Sequence, residues 1–125
     1  MKNKILKDHF LNPRNIAPIE NPTISTIKKS EICNDIVKLA VEIDQNETIH
    51  NISIEVYGCG YSIAGASLFS EAVKGAKLID VEEIAGNAVK EIINEIPEKS
   101  KYCLTLSHRA FEKLFLKYKE GDVTQ

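Results

Sequence analysis

Apolar and polar positions alternate over two stretches in the first half of the chain. Val37, Leu39, Val41 and Ile43 fall on one side of an extended backbone, and Lys38, Ala40, Glu42 and Asp44 on the other. That is the period of a half-buried strand. Ile52, Ile54 and Val56 repeat it against Asn51, Ser53 and Glu55, with the turn formers Asp44-Gln45-Asn46-Glu47 between the two runs. Two such runs predict an antiparallel hairpin, and residues 23–32 predict a third strand.

After Gly60 the period changes. Ile63, Ala64, Ala66, Leu68, Ala72 and Val73 fit one helical face ending near Gly75. Asp80 with Glu83 resembles a capping box opening a short helix to about Ala85. Ala88, Ile92 and Ile93 predict another helix closed before Pro97, and Leu106, Ala110, Phe111, Leu114, Phe115 and Tyr118 mark a C-terminal one. At the other end, residues 3–10 read as a short helix stopped at Asn12-Pro13, followed by an irregular Asn/Pro-rich stretch to about Pro22. Strands first and helices afterwards predict an α+β fold, a small antiparallel three-stranded sheet with helices packed on one face. With no repeat, low-complexity tract or long linker, residues 1–125 read as a single domain.

Charge narrows the function. Sixteen basic and eighteen acidic side chains give a net charge of −2, and Lys28-Lys29 is the longest basic run. This argues against nucleic-acid binding. No apolar run approaches the ~18 residues of a membrane span. Charged residues near the start have no apolar stretch behind them, so we expect no secretory signal and a cytoplasmic protein. Three cysteines are then a poor disulfide framework and good candidates for free thiols, a catalytic thiol or a metal site.

Gly58-Cys59-Gly60 joins the clearest strand to the clearest helix. Flanking glycines let a ligand approach the thiol, and a helix start favours thiolate. A buried cysteine in a tight turn fits equally well. Three motifs are approached here and missed. Ile63 stands where a dinucleotide fingerprint needs its third glycine, and Ala66 where a phosphate loop needs lysine. The chain is too short for the hydrolase fold of a nucleophile elbow. Cys33 and Asp35 share a turn-like segment, and Cys103 lies near the start of the last helix. Each alone is ordinary. All three thiols fall at junctions between elements, however, and three thiolates with a carboxylate suit zinc or an iron–sulfur cluster. The spacing contains no Cys-x-x-Cys pair. His50 reads as a surface residue and His108 as a boundary residue or spare ligand.

Taken together, these residues resemble the IscU/NifU-type scaffold proteins of iron–sulfur cluster assembly. Asp8-His9-Phe10-Leu11-Asn12-Pro13-Arg14-Asn15 is similar to that family's N-terminal element. Cys33-Asn34-Asp35 is similar to its Cys-Gly-Asp loop, and Tyr57-Gly58-Cys59-Gly60 to its Tyr-Gly-Cys-Gly turn. Cys103 stands where the third cysteine is expected, and the 44-residue separation from Cys59 resembles the spacing without the SufU insertion. The resemblance implies the same sheet-and-helix fold. It implies Cys33, Cys59 and Cys103 as cluster ligands and sulfur acceptors, with Asp35 as a harder ligand that keeps the cluster labile.

What the resemblance implies is a non-enzymatic scaffold holding a transient [2Fe–2S] cluster, with zinc as an alternative metal in the isolated protein. Its partners would be a cysteine desulfurase, iron and electron donors, and recipient apoproteins. A zinc-bound sulfurtransferase that accepts persulfide sulfur without building a cluster is the rival reading, and an inert interaction domain a third. The chain departs from the family pattern in three places. Asn34 replaces a glycine, Tyr102 replaces a histidine beside the third cysteine, and Ile96-Pro97-Glu98-Lys99-Ser100 replaces the Leu-Pro-Pro-Val-Lys element read by specialised chaperones.

Overall fold

The two alternating runs and the segment expected as a third strand pair in one sheet. In the computed structural model, which describes residues 1–121, strands β1 (Ile24–Lys29), β2 (Ile36–Ile43) and β3 (Ile49–Tyr57) form an antiparallel sheet in the order β1-β2-β3. Val37, Leu39 and Val41 lie opposite Val56, Ile54 and Ile52, which stacks the apolar rows of β2 and β3 on one face. The β2–β3 turn is built by Asp44, whose Oδ1 accepts from the N–H groups of Asn46 and Thr48. Glu47 completes it in the left-handed region at φ 58°.

Helices α1 (Lys4–Leu11), α2 (Gly60–Val73), α3 (Val81–Val89), α4 (Glu98–Leu104) and α5 (Leu106–Lys119) complete the fold. α5 packs on β1 and β2, and α2 on β3. Leu106, Ala110, Phe111 and Leu114 of α5 meet Val37, Leu39 and Val41 in the main core, joined by Phe69 and Val73 from α2. A second cluster of Leu6, Ala64, Val89, Ile92, Ile96 and Leu104 ties α1 and α4 to the opposite flank of α2. The fold is therefore α+β with the helices on one sheet face. On the other face, Lys38 pairs with Glu55 at 3.9 Å, and Ile16, Pro18 and Ile19 line a cleft with Ala40 and Ser53.

The helices correct the sequence reading in four ways. α2 is buried on most sides, with Ser62, Gly65, Ser67 and Ser70 inside as well as Ala64, Ala66, Phe69 and Val73. Small residues let neighbouring elements crowd it; Ser62 and Ser67 bond groups from other segments, and Ser70 donates to the Ser67 carbonyl while accepting from Asn15. The Asp80–Glu83 capping box does not form. A 3₁₀ turn, Leu78–Asp80, runs straight into α3, so Asp80 already has helical backbone angles and its carboxylate bonds no first-turn N–H. α3 continues through Gly86 to Val89, and the helix expected around Ala88, Ile92 and Ile93 is only a 3₁₀ turn, Ile92–Glu95. Pro97 then starts a separate short helix, α4, so Cys103 ends that helix instead of opening the last one. No helix among the described residues is long and apolar enough to cross a membrane.

Candidate metal centre

The β1–β2 loop supplies two of the candidate ligands. The Ser30 N–H donates to the Asp35 carbonyl at 2.8 Å and closes the loop. Ser30 Oγ accepts from the N–H groups of Ile32 and Cys33, and the Cys33 thiol donates to the same oxygen at 3.2 Å. Among the described residues only Asn15 and Glu47 combine a side chain with positive φ. Asn34 therefore sits in ordinary backbone, and the loop reaches its shape without a glycine there. Asp35 follows at the mouth of β2, only 8% exposed.

Cys59 opens α2. Its backbone is extended (ψ 170°), its side chain caps nothing, and its thiol is exposed, 3.7 Å from Ser62 Oγ. The flanking glycines have different uses from those read in the sequence. A Cβ on Gly58 would lie 2.5 Å from Asp35 Cγ, so this glycine makes room for the carboxylate and not for an incoming ligand. A Cβ on Gly60 would press on Met1 and the Phe10 ring at 3.3 Å. The N-terminal segment fills that side of the turn.

Cys103 reaches the site because α4 lies almost in contact with α2. At the crossing, a Cβ on Gly65 would fall 2.1 Å from the Leu104 carbonyl oxygen. Gly65 is thus the point of closest helix approach. Tyr102, where the family pattern has a histidine, is engaged by Arg109. Arg109 lies 3.5 Å above its ring and donates to its carbonyl and to Thr105 Oγ1, bracing the α4–α5 junction around Cys103.

These segments bring Cys33, Asp35 and Cys103 together, with their ligand atoms all within 4.8 Å of one another. The two sulfurs are 4.0 Å apart. Thiolates sharing one tetrahedral zinc with Zn–S bonds near 2.3 Å are about 3.8 Å apart, so the pair needs little movement to take an ion. The Cys59 thiol stands outside that trio but acts on both Asp35 and Cys103.

Charge follows the same arrangement. Burial works against a charged Asp35, but hydrogen bonds from the Ser62 hydroxyl, the Cys59 thiol and N–H, and Cys33 outweigh it and hold the carboxyl below its usual range. Burial, then the nearby Cys59 and Cys33, push the Cys103 thiol up to about 12. Cys103 thus keeps its proton until a metal replaces it.

The histidines serve elsewhere. His50 is exposed on β3, as the sequence suggested. The His108 ring bonds the Ala85 carbonyl at 3.1 Å and faces a cavity between α3 and α5, so it is no spare ligand. His9 is buried against Ser67 Oγ at 2.7 Å, with Glu71 at 3.4 Å. Arg14 bridges Asp8 and Glu71, its N–H donates to Ser67 Oγ, and Asn15 donates to Ser70 Oγ. The N-terminal Asp8–Asn15 motif therefore clamps α1 onto α2. Sequence reasoning overlooked Ser30 and Ser62. Their signal was a serine three residues before Cys33 and another three residues after Cys59.

The profile of the NifU-like N terminal domain matches residues 1–125. The chain is 31% identical over 115 residues to the iron–sulfur cluster assembly scaffold protein IscU of Buchnera aphidicola subsp. Baizongia pistaciae, covering 90% of each chain. It is 30% identical over the same length to IscU of Haemophilus influenzae, again covering 90% of each. Among solved structures, the N-terminal part of a nitrogen-fixing NifU-like protein from Brucella abortus superposes with a TM-score of 0.75 at 18% identity, covering 94% of each chain. A profile match along the whole sequence, with IscU relatives at this identity, makes the chain a member of the NifU-like N-terminal domain family.

Proposed function

We propose that this protein is a scaffold for iron–sulfur cluster assembly, with Cys33, Asp35, Cys59 and Cys103 as its working residues. The convergence of three thiols and one carboxylate from three separate segments carries the proposal. Thiolates are soft donors suited to iron and sulfide, and one oxygen donor leaves a weak point for release. A permanent centre would have four thiolates.

In this reading the exposed thiol, Cys59, takes the first step. Its thiolate attacks the outer sulfur of a persulfide on a cysteine desulfurase. A new S–S bond forms on Cys59, the donor's S–S bond breaks, and the desulfurase cysteine leaves as a thiolate. Two electrons from a separate reductant convert each delivered sulfur to sulfide. Cys33 and Cys103 exchange their protons for iron, and the resulting [2Fe–2S] cargo passes to the thiolates of a recipient apoprotein. Ile32 and Tyr57, exposed next to the thiol segments, and Phe10, exposed beside Gly60, offer apolar surface to a docking partner. We place this chemistry in the cytoplasm, in one domain spanning residues 1–125, with the protein acting as a carrier and not an enzyme.

One observation favours a second reading. The trio Cys33, Asp35 and Cys103 is compact enough for a single ion, with Cys59 left outside it. A zinc-bound sulfurtransferase would use the site in that way. Anaerobic reconstitution with iron, cysteine and a cysteine desulfurase separates the two. The scaffold gives visible absorption of a [2Fe–2S] centre that disappears when any of the three cysteines is replaced. Persulfide on Cys59 with zinc retained and no colour establishes the sulfurtransferase instead.

A further inference from the structure

Ser62 lies in the first turn of α2, only 1% exposed, and its environment is unusual for a serine at a helix start. Its hydroxyl bonds no backbone of its own helix. It donates across to Asp35 Oδ2, just before β2, and sits 3.7 Å from the Cys59 thiol. A hydroxyl carries one proton and two lone pairs, so donating to Asp35 leaves the oxygen free to accept from Cys59. The same Asp35 oxygen takes the Cys59 N–H at 3.4 Å, and the carboxylate rests against the face of Gly58. Its torsion is thereby fixed from two sides by the start of α2.

We infer that Ser62 is a positioning residue for the metal centre: it holds the Asp35 carboxylate in the orientation from which that group coordinates, and couples it to Cys59. The inference rests on the metal-site reading given above. Ligating carboxylates are commonly held by a second hydrogen-bonded partner, and loss of such a partner lowers metal affinity by roughly 10–100-fold. Ser62 is the buried group in that place. It touches two of the four candidate ligands, and they come from different elements.

The test is a cobalt(II) titration of four apo-proteins: the parent, Ser62→Ala, Asp35→Ala and the double variant. Thiolate-to-cobalt and d–d absorption report both affinity and geometry. Ser62→Ala is expected to bind about tenfold more weakly than the parent, with altered d–d bands. In the Asp35→Ala background the serine substitution is expected to have a much smaller effect, because the carboxylate it positions is gone and only its contact with the Cys59 thiol remains. Ser62→Thr, which keeps the hydroxyl, recovers part of the parent affinity. Equal weakening in both backgrounds would mean that Ser62 acts through general packing, and unchanged binding in Ser62→Ala would mean that it does not act at all. Either result overturns the inference while leaving the metal site standing. A parent protein that binds no cobalt overturns both.

Discussion

Gly65 and Leu104 meet at a point where no side chain fits. A Cβ on Gly65 would stand 2.1 Å from the Leu104 carbonyl oxygen, closer than any non-bonded contact allows. Leu104 is backbone-adjacent to Cys103, so this crossing of α2 and α4 sets how near the third thiol comes to the first. A helix far from the sheet is thereby tied into the site.

Gly65→Ala is expected to push α4 outward and take Cys103 with it. Overpacking of this kind costs about 1–3 kcal/mol, which thermal unfolding would register as a lower Tm. The more telling measurement is cobalt(II) affinity. Binding should weaken to the level of Cys103→Ala, whereas Gly86→Ala, at a glycine with open space around it, should leave affinity unchanged.

Asp35→Ala is expected to give a cluster that survives longer on the protein and reaches an acceptor apoprotein more slowly. An oxygen donor on a thiophilic metal is the ligand most readily displaced by an incoming thiolate. Decay of visible absorption, with and without apo-ferredoxin, measures both rates. Equal lifetimes in variant and parent would remove Asp35 from the release step.

The three thiols differ in exposure and so should differ in reactivity. Cys59 is exposed, whereas Cys33 and Cys103 are half-buried and share a contact. With its thiol pushed up to about 12, Cys103 carries almost no thiolate at pH 8. Alkylation of the metal-free protein, followed by peptide mass analysis, should modify Cys59 first and Cys103 last. Adding zinc should protect Cys33 and Cys103 strongly, and chelation should restore their labelling.

Acid is expected to loosen the helical side of the fold before it reaches the carboxylates. Burial holds both His9 and His108 below the ordinary imidazole value of 6.5. The unfolded chain therefore takes up protons on these residues at a higher pH than the folded one does. Stability is fully present above pH 6.5 and declines as pH falls below it. Asp35, lowered from 3.8, contributes its own loss only at still lower pH. Tm between pH 7 and 5 should fall in the parent and fall less steeply in His9→Gln. An identical slope in both would exclude His9 as a source.

Much of this protein could be read from residue order because its signals are local. Alternation along 37–43 and 51–56 already contained the β2–β3 pairing, since strand period and turn chemistry act over a few residues. The apolar stripe of α5 was visible for the same reason. Cys33, Asp35, Cys59 and Cys103 stood out as chemical types at junctions, and the motifs around them pointed to the family.

Distances between segments were beyond that reading. That Cys103 approaches Cys33 across 70 residues depends on Gly65 admitting the backbone of α4. That Gly58 serves Asp35, and that Ser62 holds the same carboxylate, depends on the residue just before β2 meeting the start of α2. The Asp80 capping box failed because a 3₁₀ turn upstream had already committed Asp80 to helical angles. Local sequence sets what each segment prefers, whereas the placement of ligands arises from close packing between segments, where one missing Cβ decides the geometry.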